Sequence, residues 1–186
     1  MAVKVIGVDL SLSSTGVGCS LGWTERLRVT APAGFRFSRL RRIKDAVMEH
    51  AHGADLVVVE GPSFASKSGS QTGHHERAGL WWFVMDAVDA AGLRWIEVPP
   101  ASLKKYATGR GNAGKDEVLA AAVRRFPAIE VRGNDEADAL WLAAVGADLL
   151  GESMLEMPAV NRAALAKLVL PLGVGECCVE EAGSGQ

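Results

Sequence analysis

Four carboxylates stand where three separate segments of the chain begin or end. Asp9 ends the apolar run VKVIGV, Glu60 ends LVVV, and Asp135 and Asp138 open the helical segment NDEADALWLAAVGADLL. The ends of neighbouring parallel strands lie side by side, and a spacing of three places both aspartates on one helix face. Unpaired buried carboxylates repel one another and lose hydration, so their convergence requires cations. The pattern predicts a divalent-metal site suited to phosphodiester chemistry.

Two Mg²⁺ ions, for which Mn²⁺ could substitute, would suit these acids at a separation of about 3.5–4 Å. One ion would activate a water and the other would stabilise the leaving 3′ oxygen. Asp9, at the tip of the central strand, is placed to bridge both ions, with Glu60 and the helix pair serving one side each. Taken singly, Asp9 could instead initiate a turn, and Asp135 could be a first-turn acid favoured by the helix dipole. We interpret the neighbouring Glu136 as a cap or solvated residue.

The loop TGRGNAGKDEV could be mistaken for a nucleotide-binding loop. Gly109, Gly114 and Lys115 match the G-x-x-x-x-G-K pattern, but Asp116 replaces the hydroxyl residue that should hold Mg²⁺. The loop also follows a helix-like segment and not a strand. We therefore predict no nucleotide cofactor, and we interpret the loop as one that lets Arg110 and Lys115 approach a DNA phosphate.

Other side chains are candidates for contact with DNA. Phe64 follows Glu60 closely, where an exposed ring could wedge against unstacked bases, although it could equally fold back as a core anchor. Further candidates for phosphate contact are the basic residues Lys67, Arg77, Lys104 and Lys105. We interpret His74 and His75 as polar residues at the end of a loop and not as metal ligands.

The segment AGLWWFVMDAV is apolar almost all round its helical wheel. A helix of this kind is buried on more than one side. We predict that one side meets the sheet and that the other, with Trp81, Trp82 and Met85, meets a second copy of the chain. The alternative is a central core helix in a monomer.

Periodicity predicts the elements that position these residues. Strands are predicted at residues 3–10, GVGCSLGW, RLRVTA, 56–60 and LRWIEV. Helices are predicted from Leu40 to a stop near Gly53, from His75 to Ala91, after Pro99–Pro100, and over 115–126, 134–150 and 159–169. Three early strands followed by alternating helices and strands indicate an α/β fold with a mixed sheet and helices on both faces.

Composition limits the remaining possibilities. The 186 residues are 48% hydrophobic, which suits one domain over residues 1–170 and a disordered acidic tail over 171–186. Cys19 and the adjacent Cys177 and Cys178 form neither a disulfide framework nor a zinc spacing. No signal peptide or membrane span is apparent, so we predict a cytoplasmic protein. The net charge of -2 argues mildly against nucleic acid, but the last fifteen residues carry three acids and no base.

Four motifs together resemble those of RuvC-type Holliday-junction endonucleases, in the ribonuclease H and retroviral integrase superfamily. They are GVDLSLSSTGVG, LVVVEGPSF, TGRGNAGKDEV and NDEADALWLA, in that order within residues 3–150. The resemblance implies a ribonuclease H-like five-stranded sheet, with three antiparallel strands and then two parallel ones. It also implies a homodimer that cleaves four-way DNA junctions, leaving 5′ phosphate and 3′ hydroxyl ends. The four acids would be catalytic and Lys115 would contact DNA.

Phage-encoded members of the family are the most similar in character, which would place the protein in a host cytoplasm. Actin-like and sugar-kinase ATPases share the fold and a similar first loop, but they need two such domains, and this chain has room for one. A YqgF-like nuclease acting on structured RNA and a catalytically idle DNA-binding module stay open as alternatives.

Overall fold

A five-stranded mixed sheet forms the centre of the molecule. Its strands are β1 (Val5–Asp9), β2 (Thr15–Cys19), β3 (Trp23–Leu27), β4 (Leu56–Glu60) and β5 (Trp95–Val98), in the spatial order β3-β2-β1-β4-β5. The first three strands pair antiparallel, whereas β4 pairs parallel with β1 and with β5. The predicted sheet, three antiparallel strands followed by two parallel ones, is therefore confirmed.

The structure is a computed structural model that describes residues 2–30, 36–61 and 71–170, with side chains from 37 and 75 onward in the last two ranges. Phe64, Lys67, the His74 side chain and the predicted tail with Cys177 and Cys178 lie outside the described residues. Within the described ranges, no helix combines the length and apolar character needed to cross a membrane.

Helices cover both faces of the sheet, as predicted. They are α1 (Arg36–Ala51), α2 (Gln71–Ala90), α3 (Pro100–Thr108), α4 (Lys115–Arg125), α5 (Asn134–Leu149) and α6 (Ala159–Arg162). Alternate strand residues point to opposite faces. Val5 and Val58 therefore share a core with α3, α4 and α5, whereas Ile6 and Val57 share the other core with α1 and α2.

Several predicted boundaries shift by a few residues in the structure, and the predicted strands GVGCSLGW and RLRVTA and the last helix differ most. GVGCSLGW is not one strand, because the chain turns at Gly22, which has a φ of 95° and donates its N–H to the Cys19 carbonyl. β3 therefore starts at Trp23. The predicted helix over 159–169 is a short α6 followed by a 3₁₀ turn at Leu165–Lys167. Asn161 in α6 and Ala164 after it are buried, whereas no residue of the 3₁₀ turn is.

Helix α5 lies directly on β1 and β2 because glycines leave room for its backbone. A Cβ added at Gly7 would stand 2.1 Å from the Ala139 carbonyl oxygen, and one added at Gly18 would stand 2.6 Å from the Ala139 carbonyl carbon. Neither distance is compatible with a side chain, so the close approach requires glycine. This packing brings the beginning of α5 down onto the sheet.

Candidate active site

The register of the two central strands places Asp9 and Glu60 side by side. Val8 pairs with Val59, so the residue that follows each of them stands at the same end of the sheet. Val58, two residues before Glu60, belongs to the core on the α5 side. Because side chains alternate along a strand, both carboxyl groups point to the face that α5 covers.

The first two turns of α5 bring the aspartates to the same place. The helix begins at Asn134, so Asp135 and Asp138 lie at its N-terminal end. Gly16 pairs with Asp9 across β1 and β2, and a Cβ on Gly16 would stand 2.0 Å from the Asp135 carbonyl oxygen. The start of the helix therefore rests on β2 directly beside the end of β1.

Three of the four carboxyl groups, those of Asp9, Glu60 and Asp138, have a raised pKa. Burial raises the pKa of Asp9 well above its usual range, and the charges of Glu60, Asp138 and Asp135 raise it further. Burial, and then the charge of Asp138, raise the pKa of Glu60 to about 7. The pKa of Asp138 rises to about 6, mainly through burial. Keeping all four acids ionised therefore costs free energy unless positive charge neutralises them.

Two lysines supply part of that positive charge. Lys115, the first residue of α4, opposes the effect of burial and lowers the pKa of Asp9, Glu60 and Asp138. Lys104 on α3 acts in the same direction on Glu60 and Asp138. Both lysines therefore lie close enough to the acids to offset part of their negative charge.

A hydroxyl group holds one of the aspartates, which the sequence reasoning missed. Ser14 Oγ donates a hydrogen bond of 2.5 Å to Asp135 Oδ2. The loop that carries Ser14 is fixed by the buried Thr15, whose Oγ1 donates to the Ser11 carbonyl at 2.8 Å and accepts from the Ser11 N–H at 3.1 Å. The run SLSST indicated that hydroxyl donors were present in this loop. It did not indicate which residue they would bind.

The aromatic helix supports the site from the opposite face. The indole of Trp81 donates to the Glu60 carbonyl oxygen at 3.2 Å. Trp81 and Met85 are buried in the core shared by α1 and α2, which corrects the prediction that they form a surface for a second copy. Trp82 is different, because 70% of it is exposed, and Phe83 beside it is 37% exposed.

Comparison with known proteins identifies the family. The chain is 31% identical over 150 residues to the crossover junction endodeoxyribonuclease RuvC of Agrobacterium fabrum, an alignment that covers 76% of this chain and 86% of that protein. The chain belongs to the RuvC family. The RuvC protein of Sinorhizobium fredii gives the same identity and coverage, whereas no family model matches the chain.

Solved structures share the fold. RuvC of Thermus thermophilus superposes with a TM-score of 0.62 at 23% identity, covering 81% of this chain and 98% of that one. The same protein in complex with a Holliday junction substrate gives 0.60 at 22% identity, covering 81% and 97%. The yeast mitochondrial Holliday junction resolvase gives 0.52 at 11% identity, covering 89% and 81%. The prediction of a RuvC-type nuclease with a ribonuclease H-like fold is confirmed.

The donor set of this RuvC-family chain fits hard divalent ions. Its four acids offer only carboxylate oxygens, which Mg²⁺ and Mn²⁺ prefer, and their mutual repulsion is relieved by cations. Among residues 2–30, 36–61 and 71–170, no three His, Cys, Asp or Glu side chains stand close enough together to hold an ion as placed.

Glu136 is not the solvated residue that the sequence suggested as one alternative. It is 4% exposed, and its Oε2 accepts a hydrogen bond of 2.5 Å from the backbone N–H of Arg132. Its other oxygen lies 3.9 Å from Arg26 Nε. Glu136 is not a helix cap either, because no side chain caps α5 at Gly133. It instead holds the segment before the helix through the Arg132 N–H.

The remaining predicted residues have mixed positions. The exposed Arg110 makes an ion pair of 2.5 Å with Glu117. His75 lies on α2 and Lys105 lies on α3. Arg77 lies on α2 and keeps its predicted role without further support.

Proposed function

We propose that this RuvC-family protein is a structure-selective, metal-dependent DNA endonuclease that hydrolyses phosphodiester bonds in Holliday junctions and other branched DNA. The observation that carries the proposal is the convergence of four carboxylates, in which burial and then the charges of the other three raise the pKa of Asp9. Such an arrangement opposes folding, and free-energy costs of this kind concentrate at functional sites. A cytoplasmic location, in a host cell if the chain is phage-encoded, follows only from the substrate and stays a prediction.

Asp9, Glu60, Asp135 and Asp138 would hold two divalent ions, Mg²⁺ or Mn²⁺. When bound, such ions activate a water for attack and stabilise the leaving 3′ oxygen, which yields 5′ phosphate and 3′ hydroxyl ends. The chain's contribution is placement. Asp9 lies between Glu60 and the α5 aspartates, and the Ser14 hydroxyl limits the rotation of the Asp135 carboxylate.

Lys104 and Lys115 would bind the phosphates next to the cleaved bond, because both already act electrostatically on the acids. The Arg110–Glu117 pair is exposed on both sides, so Arg110 can exchange its partner for a phosphate at little cost. Further proposed contacts are Phe64, Lys67, Arg77 and Lys105.

The enzyme would act as a homodimer, since a four-way junction presents two strands for symmetric cutting. Trp82 and Phe83, exposed side by side on α2, offer an apolar surface for the second copy. Replacing Trp82 with Ala should shift sedimentation toward the monomer. A Trp82→Ala protein that sediments like the parent at micromolar concentration would remove this surface from consideration.

The experiment that tests the function compares a four-way junction, a three-way fork, linear duplex and structured RNA, each with Mg²⁺ and with EDTA. We expect Mg²⁺-dependent cuts near the branch point of the DNA substrates and little cleavage of linear duplex. Preferential cleavage of the RNA would favour a YqgF-like nuclease. Junction binding without any cleavage would indicate a catalytically idle binding module.

A further inference from the structure

A cleft of about 570 Å³ lies at the edge strand β3, beyond the acids. Three guanidinium groups line it: Arg26 on β3, Arg28 just after that strand, and Arg132 in the loop before α5. We refer to these three residues as the arginine cleft. The motifs that led to the family do not include any of them.

The arginine cleft is aligned with the acids across the sheet. Arg26 pairs with Gly16 on β2, and Gly16 pairs with Asp9 on β1. Residues directly opposite in antiparallel strands point to the same face, so Arg26 projects on the side where the carboxylates gather. Two strand spacings, about 10 Å, separate its backbone from that of Asp9.

Three acidic residues line the cleft, and each already has a partner. Glu25 Oε2 lies 3.4 Å from His50 Nε2 on α1. Glu136 is buried and committed to the N–H of Arg132. Glu130 holds the Arg132 side chain through two hydrogen bonds, of 2.9 and 2.7 Å, but both side chains are mostly exposed, so the pair can exchange for a phosphate. In the part of the chain that the structure describes, Arg28 has no ion-pair or hydrogen-bond partner.

From this geometry we infer that the arginine cleft is a second phosphodiester-binding subsite, which holds the DNA strand on the side of the acids opposite Lys104 and Lys115. The inference rests on the proposed function. A strand crossing four carboxylates is repelled where it must be cut, so it needs cations on both flanks. Lys104 and Lys115 come from helices that follow β5, whereas the arginine cleft lies at the other edge of the sheet. Guanidinium groups suit this role because they bind phosphate oxygens in pairs.

The test is the salt dependence of junction binding, measured in EDTA so that the DNA stays intact. Each phosphate contact contributes about 0.9 to the slope of log K against log salt concentration. The double variant Arg28→Ala, Arg132→Ala should lower that slope by about 1–2 and weaken the Kd for a four-way junction by about tenfold or more at moderate salt. Arg26 is left intact because it lies near Glu136, which holds the segment before α5.

Two control variants sharpen the result. Arg124→Ala removes an exposed charge from the far end of α4 and should leave the slope unchanged, and Glu130→Ala frees Arg132 and should tighten binding. Thermal melting confirms that each variant is folded. A double variant whose Kd and slope equal those of Arg124→Ala, while the parent binds and cuts the junction, would overturn this inference alone. A parent chain that neither binds nor cuts junctions would overturn the proposed function and this inference with it.

Discussion

Replacing Glu60 with Gln should stabilise the metal-free protein at high pH while abolishing cleavage. Glu60 ends the parallel strand β4, and burial together with the charge of Asp138 raises its pKa to about 7. Above that pH the folded protein must hold a carboxylate in a place that disfavours it. Glutamine has the same shape and a polar amide but never ionises, so the variant isolates the cost of the charge.

The magnitude follows from the change in pKa. A rise from 4.5 to about 7 corresponds to about 3 kcal/mol of unfolding free energy, at about 1.4 kcal/mol for each pH unit. The variant must bury an amide, and the neighbouring acids relax once the charge is gone. We therefore expect a net gain in unfolding free energy of about 1–3 kcal/mol. Because the folded-state pKa is the higher one, the penalty is absent below pH 4.5 and grows as the pH rises through 7. The variant should therefore match the parent closely at pH 4 and exceed it at pH 8.

The assay is denaturant or thermal unfolding in EDTA at both pH values, where 1 kcal/mol corresponds to about 2–4 °C in Tm for a domain of this size. Glu49→Gln, which alters an exposed glutamate on α1, is the matched control and should change neither value. A Glu60→Gln protein no more stable than its parent at pH 8, or equally stabilised at both pH values, would refute the reasoning.

Three further predictions concern the same site. Mg²⁺ should raise the Tm of the parent protein more at pH 8 than at pH 5, because the raised pKa of Asp9, Glu60 and Asp138 lets protons compete with the metal ion at the lower pH. An equal rise at both pH values would argue against carboxylate ligation. Ser14→Ala should slow cleavage by about tenfold with unchanged junction affinity, because Asp135 loses its 2.5 Å hydrogen bond, and Ser14→Thr should restore part of the rate. Gly18→Ala should destabilise the fold by about 3 kcal/mol in thermal unfolding, since its Cβ would stand 2.6 Å from the backbone of Ala139. The control Gly79→Ala has open space around it and should be neutral or stabilising.

The acids could be located from the sequence because each marks the end of a short apolar run or the beginning of a helix. Strand parallelism then places Asp9 beside Glu60 with no further information. Ser14 could not be found this way, since its hydrogen bond spans 121 residues. The helix with Trp81 and Met85 was predicted to contact a second copy of the chain. A helix that is apolar on all sides must be covered on several of them, but the sequence does not show what covers it. In this chain both side chains face the molecule's own core.

The arginine cleft shows a second limit of sequence reasoning. The hairpin between β2 and β3 was misplaced because the turn at Gly22 lies inside a run of strand-forming residues. Without that turn, Arg26 cannot be aligned with Gly16 and Asp9. A one-residue shift in register also reverses the face to which a side chain points, so the charge on an edge strand is readable only after its pairing is known.

The central claim is that four carboxylates act as one metal-dependent site, and the most direct measurement uses Asp9→Asn on a four-way junction. Single-turnover cleavage in Mg²⁺ and junction affinity in EDTA are measured on the same preparation, beside Glu49→Gln. We predict that Asp9→Asn binds the junction at least as tightly as the parent protein, because one repelling charge is gone, and that its cleavage rate falls by at least about a thousandfold. Cleavage within tenfold of the parent rate would contradict the account.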